Sequence, residues 1–273
     1  MLTRRSFCVA TASATAGLAL GAGRAEAAVP LRRRVTVFVA GDSTAATWPA
    51  SVIPKAGWGQ ALPAFLDPRL AGVENLALSG ASSKSFIEAG LLDEILAGIR
   101  GGDYLFISFG HNDEKTDDRH TDPYTTFQQY LSKYIDGARA RCAKPVLVTP
   151  VERRRFGADG HATASHGEYP AAMIALAASA GVPVFDLTAA SMRLWDAVGV
   201  EGTKDFFLWQ DPGENPNFPD GVQDNTHFQA HGAIEVARLV VRGLVAQHVL
   251  PRPLVRSLDR PVPDDALAWP VAV

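Results

Sequence analysis

A chain of 273 residues, 47% hydrophobic and 20% charged, holds enough apolar side chain for one sizeable domain. A formal net charge of −3 and a pI near 6.2 leave no basic footprint for nucleic acid. A neutral or weakly charged substrate suits that balance better than a polyanion, unless basic groups are concentrated in a local patch.

The first residues read as a targeting segment. Arg4–Arg5 precede Ser6–Phe7, a run of Ala, Gly, Thr and Leu reaches Gly23, and Ala25–Glu26–Ala27 is a small-residue cleavage site. The run is too short and too weakly apolar to span a bilayer, so no membrane span is expected. Paired arginines followed by Phe resemble a twin-arginine signal. The expected organisation is a signal over residues 1–27, one catalytic domain over 28–250 and an extended, proline-rich tail over 251–273. The expected location is periplasmic or extracellular. Cys8 falls inside the signal, Cys142 before Lys144–Pro145 reads as a core thiol, and no Cys/His cluster has zinc-ligand spacing, so no metal is expected.

Past the signal, strand-length apolar runs alternate with longer amphipathic stretches. Arg34–Ala40 is a β-branched run ending at Gly41. Gly57–Leu66 reads as a helix, Val73–Ala77 as a short strand, Phe86–Ile99 as a helix and Tyr104–Phe109 as a strongly apolar strand. Phe127–Arg141, Tyr169–Ala180, Ser191–Gly199 and His231–His248 read as helices, and Pro145–Thr149 and Val182–Leu187 as strands. Glu152–Gly167 and Asp205–Gln223 read as loops. Near-continuous apolar strands separated by helices predict a parallel sheet covered on both faces, a three-layer α/β/α fold of the doubly wound kind.

In such sheets ligands bind at the carboxyl ends of strands, and chemistry-bearing residues follow the apolar runs here. The blocks are Gly41–Asp42–Ser43–Thr44, Asn75 to Gly80 continuing to Phe86, Gly110–His111–Asn112–Asp113, and Asp224–Asn225–Thr226–His227. Acyl transfer needs a serine whose proton an imidazole can take, a carboxylate to orient that imidazole, and donors for the developing oxyanion. Ser43, His227 and Asp224 fit the first three roles. The Ser43 and Gly80 backbone N–H groups and the Asn112 amide fit the oxyanion role. Ser43 sits at a strand end and expected helix start, and Asp224 and His227 would share one side of a helical turn.

These blocks resemble those of the SGNH/GDSL hydrolases: GDS at 41–43, Gly80, G-x-N-D at 110–113 and D-x-x-H at 224–227. Within that superfamily GDST, NLALSGASSKSF at 75–86 and FGHND at 109–113 are similar to the rhamnogalacturonan acetylesterase branch. The resemblance covers Val35 to His248. It implies a flavodoxin-like sandwich, a Ser-His-Asp triad, no cofactor, and acetyl esters on pectic polysaccharide or oligosaccharide as substrate for what is expected to be a monomer. Lipase, lysophospholipase or thioesterase activity on the same scaffold, or an inactive carbohydrate-binding relative, are the alternatives.

Competing readings surround each residue. Ser43 could cap a helix, Gly80 could be a turn glycine, and Asn112 could bond its own loop. Asp42 reads as a partner for the turn. Among seven histidines, His120, His161 and His166 lie in polar loops and His248 near a helix end, while His231 is the rival base. His111 is a candidate substrate contact. Trp209 and Phe218, just before the Asp–His block, are the candidate sugar-facing aromatics. Arg153–Arg155 read as a solvated charge run, one member of which could meet a uronate carboxylate.

Overall fold

The computed structural model describes residues 33–271, so the expected targeting segment and Cys8 lie outside the described residues. β1 (Val35–Gly41) leads into a turn, then β2 (Lys55–Ala56), α1 (Trp58–Ala61) and a 3-10 turn over Leu62–Phe65. β3 (Ala71–Asn75), α2 (Ser83–Glu88), α3 (Leu91–Gly98), β4 (Tyr104–Ser108), α4 (Gln128–Ala140), β5 (Lys144–Val148), α5 (Tyr169–Ala180) and β6 (Val184–Phe185) follow. The chain closes with α6 (Leu187–Gly202), β7 (Phe207–Gln210), β8 (Val222–Gln229) and α7 (Ala230–Ala246).

Five strands form a parallel sheet in the order β3-β1-β4-β5-β6. This is the flavodoxin-like order, in which the chain turns back between β1 and β4 and leaves a crevice at their carboxyl ends. Alternation along the strands builds two cores. Val37, Val39, Tyr104 and Phe106 face the layer made by α1, α6 and α7. Phe38, Ala40, Leu105 and Ile107 face the layer made by α3, α4 and α5. The expected three-layer α/β/α fold is what the structure shows.

Three readings of the sequence are corrected. The single helix expected over Phe86–Ile99 is two, because Gly90 adopts φ 78° between them, a left-handed conformation that breaks the ladder. The loop expected over Asp205–Gln223 contains β7 and the start of β8, which join β2 in an antiparallel sheet of order β2-β8-β7. Buried Phe207 and Phe228 pack on Trp195 in that sheet, so apolar anchors override the polar composition between them. No helix starts at Ser43; β1 runs into a turn instead.

The segment after Leu250 is extended, with two 3-10 turns, and is tied to the body along its length. Leu258 and Leu267 are buried in the α7 core. Gln60 donates to Ala268 O at 2.8 Å, and Trp269 Nε1 donates to Lys55 O at 3.0 Å. Buried Arg238 of α7 donates from Nη1 to the carbonyls of Ser257, Leu258 and Arg260 at 3.2, 2.8 and 2.9 Å. Removing one partner of a buried charged network leaves the acceptors unsatisfied. Arg238→Met is therefore expected to cost about 3 kcal/mol, a fall of roughly 10 °C in the melting midpoint. A melt unchanged by the substitution would show that the tail adds nothing to the domain.

Candidate active site

Ser43 sits in the turn after β1, at the crevice between β1 and β4. Asp42 Oδ1 accepts hydrogen bonds from Thr44 N at 2.9 Å and Thr44 Oγ1 at 2.7 Å, and Ala45 N donates to Asp42 O at 3.1 Å. The carboxylate thus folds its own turn, an arrangement Asp and Asn favour. Burial raises the Asp42 pKa despite these donors. Asn75 Nδ2, at the end of β3, donates to Ala45 O at 2.8 Å and Thr47 Oγ1 at 3.0 Å. Gly59 closes the other side: a Cβ there would collide with the Ala45 carbonyl and the Asn75 side chain. Ser43 is therefore held by three neighbouring segments.

Asp224 and His227 come from β8. The register jumps there, Phe228 opposing Phe207 while Asp224 opposes Leu208, so residues 225–227 bulge out of the ladder. The helical turn expected for this block is absent; an Asx-type turn replaces it. Asp224 Oδ1 accepts from Thr226 N at 2.8 Å and His227 N at 3.0 Å, and Oδ2 lies 2.6 Å from His227 Nδ1. The other ring nitrogen, Nε2, is 2.9 Å from Ser43 Oγ. Burial opposes ionisation of Asp224, but the His227 hydrogen bond and charge and the backbone donors outweigh it and hold the pKa at about 2. With Oδ2 ionised, Nδ1 carries the proton and Nε2 is left to accept from Ser43.

Gly80 and Asn112 lie in the loops after β3 and β4, the strands on either side of β1. Gly80 has φ 81°, and Asn112 is 8% exposed with Nδ2 donating to Ala81 O at 3.0 Å. Arg119 Nη1 reaches both, at 3.3 Å from Gly80 O and 3.5 Å from Asn112 Oδ1, while the rest of its guanidinium pairs with Asp117. Behind them, Asp113 joins the two loops: its carboxylate accepts from Ser83 Oγ at 2.5 Å, Ser83 N at 3.1 Å and Thr121 Oγ1 at 2.9 Å.

The remaining expectations divide. His231 packs on Phe206, with ring centroids 4.7 Å apart on α7, while His227 is the histidine hydrogen-bonded to Ser43. His111, a candidate substrate contact, is 3% exposed and packs edge-on against His166 at 4.3 Å, with burial keeping its ring neutral. Trp209 does lie beside the bulge, donating from Nε1 to Asn225 Oδ1 at 3.1 Å. Its ring, however, already carries Arg154 at 4.7 Å and Lys204 at 4.9 Å. Phe218 is half-buried in the β7–β8 connection, next to the Asn215 bridge. Arg153 is no solvated charge: it pairs with Glu114 at 2.5 Å.

Trp48 belongs to none of the four sequence blocks and reads from sequence as a loop-side aromatic, though it follows Ser43 by five residues. Its Nε1 donates to Ser43 O at 3.2 Å and its ring meets His227 in a T-shaped contact at 5.7 Å. No cluster of three or more His, Cys, Asp or Glu suited to a metal ion occurs among the described residues.

The Asp113 bridge yields a pH prediction. Burial raises its pKa from 3.8 to about 6, so the folded state keeps a proton that the unfolded chain has already released. Its contribution to stability therefore falls as pH rises from about 4 through about 6. Denaturant unfolding across that window is expected to show this slope, and Asp113→Asn is expected to flatten it. A slope that Asp113→Asn leaves intact would place the titration elsewhere.

The profile of the GDSL-like Lipase/Acylhydrolase family matches residues 39–233. The chain is 48% identical over 214 residues to the rhamnogalacturonan acetylesterase RhgT of Bacillus subtilis strain 168, covering 78% of this chain and 91% of the relative. It is 39% identical to the probable rhamnogalacturonan acetylesterase YesY of the same organism, covering 76% and 91%. A crystal structure of Bacillus subtilis YxiM superimposes with a TM-score of 0.69 at 30% identity, over 80% of this chain and 58% of that one. Sequence profile, relatives and fold agree that this chain belongs to the GDSL-like lipase/acylhydrolase family.

Proposed function

We propose that the chain is a serine esterase that removes acetyl groups from rhamnogalacturonan-type pectic polysaccharide through an acyl-enzyme. The observation that carries this reading is the continuous hydrogen-bonded path from Asp224 Oδ2 through His227 to Ser43 Oγ, opening at the crevice between β1 and β4. The substrate rests on the kinship with rhamnogalacturonan acetylesterases.

Ser43 Oγ attacks the ester carbonyl and its proton passes to His227 Nε2, while Asp224 stays ionised and stabilises the imidazolium. The tetrahedral oxyanion receives the Ser43 and Gly80 N–H groups and the free N–H of the Asn112 amide. Collapse breaks the bond to the sugar oxygen, which leaves as an alcohol with the proton from His227. A water then adds to the acetyl-Ser43 carbonyl, giving its proton to His227, and the second collapse returns that proton to Ser43 and frees acetic acid. Every step uses the same imidazole, so its alignment by Asp224 matters in both halves.

Export completes the reading, with residues 1–27 as a cleavable signal of the twin-arginine type. It is supported by the order of basic, apolar and small residues there. Among the described residues no helix is long and apolar enough to cross a membrane.

Acetate release from acetylated rhamnogalacturonan tests the proposal. Wild type is expected to release acetate, Ser43→Ala to fall to background, and Asn112→Ala to lose roughly 10²–10³ in kcat. Turnover confined to long-chain esters would remove the carbohydrate assignment, and an active Ser43→Ala would remove the nucleophile.

A further inference from the structure

Lys55 stands out among the cations bordering the site. Its backbone is fixed: β2 pairs with β8 at Lys55↔Gln229, two residues past His227, and Trp269 donates to Lys55 O. Its ammonium lies 3.8 Å from the centroid of the Trp48 ring. That same indole meets His227 and hydrogen-bonds the Ser43 carbonyl, so Lys55 and the nucleophile share one wall.

The neighbouring cations are engaged by anions or carbonyls. Arg119 pairs with Asp117 at 2.6 Å, Arg153 with Glu114 at 2.5 Å, and Lys204 with Glu201 at 2.7 Å. Arg154 donates to Val200 O at 2.6 Å and Thr203 Oγ1 at 3.0 Å. The Lys55 ammonium, by contrast, has neither a carboxylate in ion-pair contact nor a hydrogen-bond acceptor among the described residues. Asp224 favours its charged form only at a distance, without ion-pair contact, and turns its oxygens to Thr226 and His227. Burial disfavours its charged form, and the indole face compensates only in part. A half-buried ammonium with three free N–H donors at the wall of an active site is built to receive an anion from solution.

We propose that Lys55 is the receptor for a uronate carboxylate of the polysaccharide and sets a preference for acidic over neutral acetylated chains. The proposal rests on the esterase reading above. Rhamnogalacturonan carries a galacturonate carboxylate on alternate sugars, whereas acetylated xylan presents neutral backbone sugars. With the acetyl carbonyl against Ser43, a carboxylate on the same or the adjoining sugar meets the Trp48 wall, where Lys55 supplies the charge and Trp48 the apolar floor. The chain's net charge of −3 offers no general attraction for a polyanion, so the cation has to be local.

The test compares acetylated rhamnogalacturonan, acetylated xylan and p-nitrophenyl acetate on wild type, Lys55→Met and Lys55→Arg. Lys55→Met is expected to lower kcat/KM on the acidic polymer about ten-fold more than on the two neutral substrates. That excess loss is expected to reside in KM, and Lys55→Arg to restore most of it. The wild-type KM for the acidic polymer is expected to rise with salt more steeply than that of Lys55→Met. Equal losses on all three substrates would mean that Lys55 acts on the triad charges instead, and no loss on any would also overturn the proposal. Residual p-nitrophenyl acetate turnover reports whether each variant is folded. A wild type inert on the pectic polymer but active on the other esters would defeat the substrate reading itself, an outcome separate from failure of the Lys55 role.

Discussion

One carboxylate organises the site from both its oxygens. Asp224 Oδ1 gathers the Thr226 and His227 N–H groups and so folds the bulge that lifts residues 225–227 out of the β7–β8 ladder. Asp224 Oδ2 then takes Nδ1 of the imidazole that this bulge presents. Without the first pair of bonds the period-two geometry of a strand would send Asp224 and His227 to opposite faces, since residues three apart alternate sides. The bulge makes an i, i+3 pair meet in a β context. It also explains why the low pKa of Asp224 is compatible with partial burial: four donor or charge contributions outweigh desolvation.

Around that device the fold supplies fixed positions. The order β3-β1-β4-β5-β6 puts the ends of β1 and β4 at the point where the chain reverses, and the Ser43 turn and the Asn112 loop leave the sheet there. The antiparallel sheet delivers His227 from the other side, with β2 holding β8 in place. A glycine, an amide and a carboxylate do the joining: Gly59 and Asn75 lock the Ser43 turn, and Asp113 ties the Gly80 loop to the Asn112 loop. The cations Arg119, Arg153 and Lys204 are each paired with a carboxylate of the protein, unlike Lys55.

Much of this is legible in the sequence. β-branched and apolar runs marked β1 and β4 to within a residue, and the Tyr169–Ala180 helix has the expected ends. The chemistry-bearing blocks could be found because they follow strands. The Asp224–His227 bulge is not legible in the sequence, because three-residue spacing suits a helical turn as well as a bulge and only the partner strand decides. The sheet of β2, β7 and β8 was hidden because its stability comes from distant Phe207, Phe228 and Trp195, while the intervening residues are polar. Trp48 and Lys55 belong to no pattern; their meaning lies in a cation–π contact and an edge contact that no local spacing encodes.

The most direct test of the account is covalent trapping with a fluorophosphonate, followed by intact-mass measurement and peptide mapping. The geometry predicts one adduct per chain, on Ser43, forming far more slowly in Asp224→Asn because the imidazole is no longer held in the accepting tautomer. An adduct on another residue, or a rate indifferent to Asp224, would contradict the proposal that Asp224, His227 and Ser43 act as one unit.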